Sequence, residues 1–166
     1  MAIRTVLTAE DEQLYKKSRP VVKFDARLHQ LLDDMKETLV SNGNGVGLAA
    51  PQVGVLRRAV IVLETNVPEG TDEYIIELIN PEILETKGEV LASEGCLSVP
   101  GDFGLVKRPE QVTVRAFDRY GQSFEVTGEG LTARCFCHEI DHLNGILFTD
   151  VCERLLTDEE IQSGKY

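Results

Sequence analysis

The chain has 166 residues, of which 42% are hydrophobic and 27% charged, the size and make-up of one globular domain with a substantial core. Its 17 basic and 28 acidic residues leave a formal net charge of -11, which argues against broad attraction to nucleic acid or anionic lipid. The amino terminus lacks the basic head and apolar run of a secretory signal, and no apolar stretch approaches the ~20 residues needed to cross a bilayer. A soluble cytoplasmic protein is expected, with Cys96, Cys135, Cys137 and Cys152 reduced or ligating metal rather than paired.

In chain order, Phe24, Leu28, Leu31, Leu32, Met35 and Leu39 recur at helical spacing, with Asp25 placed to cap the start and Asn42-Gly43 to close the end. A glycine-rich connection, NGNGVGLAAPQVG, follows. Arg58–Leu63 and Tyr74–Ile79 are rich in β-branched residues and predict strands, with a surface loop between them. Val112–Phe117, the turn DRYGQ and Phe124–Val126 predict an antiparallel hairpin. The pattern becomes helical again from Leu131 to Leu143 and stops at Asn144-Gly145. Ile146–Phe148 predicts a short strand, and Thr157 with Glu160 has the spacing of a capping box opening a short carboxy-terminal helix. Strands between an early and a late helix suit an α+β domain spanning residues 1–166 better than a βαβ alternation.

Chemistry concentrates in HEIDH, His138–His142, within the second helix. Residues four apart diverge by about 40 degrees around a helix, so both imidazoles can reach one ion. Glu139 projects nearby and can move a proton between water and a leaving amine. The bland alternative is an exposed face of charged residues. A third ligand is needed, and Cys96 in EGCLSVPG supplies a thiolate beside a glycine that permits close backbone approach. Cys96 as a small buried residue is the competing reading. Cys135, one turn before His138, could compete as a ligand or line a pocket; His29 reads as an exposed or capping residue, and Cys137 and Cys152 as structural. Two imidazoles and a thiolate leave a coordination position for water, the mark of a catalytic rather than a closed site. In GVGLAAPQ, Gly45–Gln52, the glycines let backbone amides face a bound peptide, and the Gln52 amide suits a developing oxyanion.

GVGLAAPQ, EGCLS and HEIDH, in this order, resemble the three signature motifs of the peptide deformylases, with the resemblance covering about residues 20 to 150. It implies antiparallel β-sheets packed around a central helix carrying the HExDH motif. The implied activity is removal of the N-formyl group from the formyl-methionine of nascent polypeptides, with release of formate. It further implies Cys96, His138 and His142 as ligands of one divalent metal ion, commonly Fe(II), with Zn, Ni or Co able to substitute. Glu139 would act as base then acid, and Gln52 with the Leu97 N–H would hold the formyl oxygen. Gly47 would pair with substrate backbone, while Val46, Leu131 and Cys135 would shape the methionine pocket. Cys137 stands where the family usually has glutamine before the first histidine, so support of the site can differ there. Some relatives dock on the ribosome through a basic terminal helix; this tail is acidic, so docking through it is left open, and the ribosome association the resemblance allows is a transient one. The expected location is the cytoplasm, or an organelle in a eukaryote. An HExxH peptidase would leave the other two motifs without a joint role, and a non-catalytic metal-binding module would make Glu139 dispensable.

Overall fold

The computed structural model describes residues 2–166. After a 3-10 turn at Glu12–Tyr15, helix α1 spans Ala26–Asn42. The Asp25 carboxylate accepts the Leu28 N–H, and Gly43 ends the helix in the left-handed region, so both predicted caps are in place. Strand β1 is Gly47–Ala49, followed by a 3-10 turn at Ala50–Val53 and strands β2 (Ala59–Glu64) and β3 (Tyr74–Lys87). Strands β4 (Val90–Cys96) and β5 (Val99–Arg108) form a ribbon, and β6 (Gln111–Phe117) and β7 (Ser123–Glu129) form the expected hairpin. Helix α2 covers Leu131–Leu143; α3 (Phe148–Val151), β8 (Arg154–Leu155) and α4 (Asp158–Ser163) complete the chain.

All named pairings are antiparallel: a five-stranded sheet of order β1-β2-β3-β6-β7 and a three-stranded sheet of order β4-β5-β8. Strand β2 shows why AVIVLE is apolar almost throughout. Ala59 and Ile61 pack with Leu28, Leu32 and Met35 of α1, whereas Val60 and Val62 pack with Ala133, Phe136 and Ile140 of α2. A strand alternates faces, so one covered on both sides needs apolar residues at successive positions. Leu32 and Met35 are fully buried, each contributing about 1.5–3 kcal/mol by removal from water.

Helix α2 touches β1, β2, β6 and β7 of the large sheet and β5 of the small one, and all its residues except Leu131 and Asp141 are buried. Gly145 allows the chain to leave it: with φ +75°, any Cβ would sit 2.5 Å from the Tyr15 carbonyl oxygen.

Three expectations change. Ile146–Phe148 is not a strand; the Asp150 carboxylate accepts the Leu147 N–H at 2.9 Å and winds the chain into α3. Leu147 and Phe148 reach the same burial through a cluster with Leu14, Val99 and Val106. The glycine-rich connection holds β1, whose ladder to β2 needs backbone only. Finally, β3 runs on past Asn80-Pro81, because the proline sits where the register with β6 shifts between Ile79 and Glu82. Asn80 takes φ +52° and bonds Val21 through both ends of its amide. Among the described residues, no helix is long and apolar enough to cross a membrane.

Candidate active site

A cleft of about 610 Å³ lies where β1, the β4–β5 ribbon and α2 meet. Gln52, Val46, Gly47, Cys96, Leu97, Leu131, Cys135, His138 and Glu139 all line it. His142 stands behind them, 1% exposed. Three sequence segments far apart in the chain therefore converge, and HEIDH is not an exposed charged face.

The Cys96 sulfur and one ring nitrogen from each of His138 and His142 lie within 4.8 Å of one another. Cys96 Sγ is 3.4 Å from His142 Nε2. Ligands of a tetrahedral ion with metal–sulfur and metal–nitrogen bonds of ~2.3 and ~2.0 Å would be about 3.3–3.5 Å apart, so the donor set suits one such cation. Cys135 is not brought into this set: its buried thiol lies 3.5 Å from the Val46 carbonyl and 3.9 Å from Glu139 Oε2. His29 is also remote, half-buried with Nε2 2.8 Å from the Arg119 carbonyl oxygen and the ring edge-on to Tyr120. All four cysteines are free; Cys137 is buried in the main core and Cys152 packs against the third cluster.

Burial alone would lower the His138 pKa, but the hydrogen bond to Cys96, the charge of Glu139 and the hydrogen bond to Glu94 outweigh it and raise it well above the usual imidazole range. Burial and the neighbouring His138 charge push His142 well below that range. Glu139 is raised to about 7, chiefly by burial. Its Oε1 is buried without a hydrogen-bond partner among the described residues, which fits a carboxylate reserved for a reacting group.

Gln52 is held at both ends of its amide. Its Oε1 accepts the Ala49 N–H at 2.9 Å, leaving Nε2 to face Ser98 Oγ at 3.1 Å and Cys96 Sγ at 3.6 Å. Leu97 opens the two-residue turn between β4 and β5, directly after Cys96. The amino-terminal strap ties these segments together from behind, Leu7 donating to the Gln52 carbonyl and Ala9 to that of Ser98. Gly47 sits on an edge strand whose far side borders the cleft. A Cβ there would lie 2.5 Å from Cys135 Sγ and 2.8 Å from Glu139 Oε2, so only glycine fits beside the carboxylate.

Sequence reasoning gave no role to the charged residues that support the site. Glu94 Oε1 lies 2.9 Å from His138 Nδ1, and its carboxylate accepts from Arg108 and Arg134; Arg108 also donates to Asp141 at 2.7 Å. Burial would raise the Glu94 pKa, but hydrogen bonds from His138 and Arg108 bring it down to about 2. A signal was present: Glu94 stands two residues before Cys96 in a strand, and Arg134 four before His138 in a helix, each a same-face spacing.

A family model of polypeptide deformylases matches residues 3–157. The peptide deformylase of Caldicellulosiruptor bescii is 55% identical over 162 residues, covering 98% of this chain and 93% of its own. Among solved structures, a peptide deformylase from Legionella pneumophila superposes with TM-score 0.82 at 45% identity, covering 99% of this chain and 92% of that one. A Met-Ala-Ser-bound class I type b peptide deformylase from Acinetobacter baumannii gives TM-score 0.82 at 38% identity, with 90% and 98% covered.

Proposed function

We propose a division of labour for a chain that belongs to the polypeptide deformylase family and hydrolyses the N-formyl group from the amino terminus of nascent polypeptides. One metal ion serves the reaction, and Cys96, His138 and His142 are the residues we assign to hold it. When bound, the ion supplies Lewis acidity at the formyl carbonyl and makes water more acidic beside it. The observation that carries this assignment is the meeting of one sulfur and two ring nitrogens within 4.8 Å, in a cleft that also receives Glu139.

The remaining work falls to the protein. Glu139 takes a proton from the attacking water as the new C–O bond forms, then delivers it to the amine nitrogen as the C–N bond breaks; formate and a free amino terminus result. A carboxyl raised to about 7 suits both halves of that transfer near neutral pH. The Gln52 Nε2, oriented by the Ala49 N–H, donates to the formyl oxygen as it gains charge, together with the Leu97 N–H. The open edge at Gly47 pairs with the substrate backbone as an added strand would. Val46, Leu131 and Cys135 shape the pocket for the methionine side chain. That a related structure binds Met-Ala-Ser supports a peptide occupying the equivalent cleft.

Fe(II) is the ion assigned here, with Zn, Ni or Co able to use the same imidazole and thiolate donors. The encounter with nascent chains, and with the ribosome carrying them, is transient. Arg154 is paired with Glu160, and Asp158, Glu159 and Glu160 occupy the first turn of α4, leaving no basic face there for ribosomal RNA. Because its substrates are nascent chains, the location we assign to the enzyme is the compartment of translation: the cytoplasm, or an organelle in a eukaryote.

The test pairs formate release from a formyl-Met-Ala peptide with elemental analysis of anaerobically prepared protein. Glu139→Ala is expected to keep its metal and lose about 10²- to 10⁴-fold in turnover. Unchanged turnover would refute the proton-transfer role.

A further inference from the structure

Arg134 has no part in the chemistry above, yet its side chain is 10% exposed, as enclosed as the His138 ring. Its guanidinium makes three bonds: Nη1 donates to Glu94 Oε2 at 2.7 Å and to the Val106 carbonyl at 2.9 Å, and Nη2 donates to the Val90 carbonyl at 2.8 Å. One planar group on α2 thus reaches both strands of the ribbon that carries Cys96. Arg134 also stands one helical turn before His138, on the same face.

The carboxylate it grips is the one that orients a proposed ligand. Glu94 places Oε1 2.9 Å from His138 Nδ1, which directs the other ring nitrogen toward Cys96. Arg108 grips the same carboxylate but also carries Asp141 at 2.7 Å. Two cations therefore face two carboxylates, and removing Arg134 would leave a buried excess of negative charge beside the histidine.

We propose that Arg134 is a positioning residue that acts through Glu94: held in place by the two ribbon carbonyls, it grips the carboxylate that fixes the tautomer and tilt of the His138 ring, so that the His138 nitrogen keeps its spacing to Cys96. This rests on the reading of Cys96, His138 and His142 as ligands. Lysine cannot replace it in full, because a single ammonium lacks the fork that spans a carboxylate and two carbonyls.

The experiment measures release of Ni(II) to an excess of chelator from protein loaded with that ion, in the parent, Arg134→Met, Arg134→Lys, Glu94→Gln, the Glu94→Gln/Arg134→Met double variant and Cys96→Ala. Groups that orient a ligand typically change metal affinity about 10- to 100-fold, so Arg134→Met should release the ion at least ~10-fold faster than the parent, with Arg134→Lys in between. In the Glu94→Gln background the arginine substitution should add less than about twofold, because its effect runs through that carboxylate. Parent-like release from Arg134→Met, or an effect that multiplies in full with that of Glu94→Gln, would overturn the proposal. Should Arg134→Met fail to fold, Arg134→Lys carries the test, and parent-like release from it overturns the inference equally. Cys96→Ala separates the two readings: if it keeps the ion as the parent does, the ligand assignment fails; if it loses the ion while Arg134→Met does not, only the positioning role fails.

Discussion

Gly47→Ala puts one methyl group against the proposed base and tests the geometry of the site without touching a charged group. The Cβ would lie 2.5 Å from Cys135 Sγ, 2.8 Å from Glu139 Oε2 and 3.1 Å from Glu139 Cγ. To reach ordinary contact at 3.4 Å, the sulfur must retreat by about 0.9 Å and the carboxylate oxygen by about 0.6 Å. Both side chains are buried on a helix packed against the large sheet, so the room they have is the cleft itself, and a retreat into it moves Glu139 out of its place. Backbone strain does not enter, since Gly47 lies outside the positive-φ region. Overpacking of this kind costs about 1–3 kcal/mol of stability. A catalytic group misplaced by 1 Å costs about 10²-fold in rate, so kcat should fall about 10- to 100-fold. Steady-state formate release and thermal unfolding on matched metal content give both numbers. Adding Cys135→Ala removes the nearest contact but leaves the 2.8 Å clash with Glu139, so it should restore stability more than kcat. A Gly47→Ala protein with kcat within twofold of the parent would show that Glu139 is not held where the reaction needs it.

Gln52→Leu should lower kcat about 10²- to 10³-fold through loss of a donor to the formyl oxygen, and should also reduce Tm because the buried Ala49 N–H loses its acceptor; a loss under fivefold on formate release would remove Gln52 from the mechanism. Beside α1, burial would raise the Glu77 pKa, but hydrogen bonds from Arg119 and Lys36 outweigh it and hold it below the usual range. A carboxylate depressed on folding contributes stability above its unfolded pKa, and that contribution fades as pH falls through the folded value. Glu77→Gln should therefore cost about 1–2 kcal/mol in urea melts at pH 7, with the gap to the parent closing below about pH 4. A gap independent of pH would show that the interaction is not ionic.

Elements that carry their own period and caps were legible from sequence. Helix α1 has both; α2 ends where Asn144-Gly145 stops it, and α4 opens on Thr157, whose hydroxyl accepts the Glu160 N–H. The β4–β5 ribbon was not legible. Gly95, Pro100, Gly101 and Gly104 interrupt its alternation, and its core contribution is limited to such residues as Val99, Leu105 and Val106. The backbone ladder, which leaves no side-chain pattern, defines it. In the site, the two histidines and the carboxylate between them were legible because helical spacing maps directly onto geometry. Glu94, Arg108 and Arg134 were not, since charged residues in a sequence read as solvated until a buried partner is in view.

The same contrast describes how the three donor atoms are held. The histidines belong to a helix seated on the large sheet by Val60, Val62, Phe136, Ile140 and Leu143, a non-directional apolar contact that sets where α2 lies but little about ring orientation. Cys96 belongs to the ribbon, whose link to α2 runs through the Glu94, Arg108, Arg134 and Asp141 bonds, with the strap at Leu7 and Ala9 behind it. Hydrogen bonds between ions are directional and short, so they fix the sulfur-to-nitrogen spacing that apolar packing leaves loose. A core truncation such as Leu32→Ala, on the α1 face of the sheet, should therefore lower stability by about 2–5 kcal/mol while leaving chelator-resistant metal unchanged. Substitutions among the buried ions should do the reverse in proportion, loosening the metal more than they lower Tm; equal ratios in the two classes would mean that one packed core governs both.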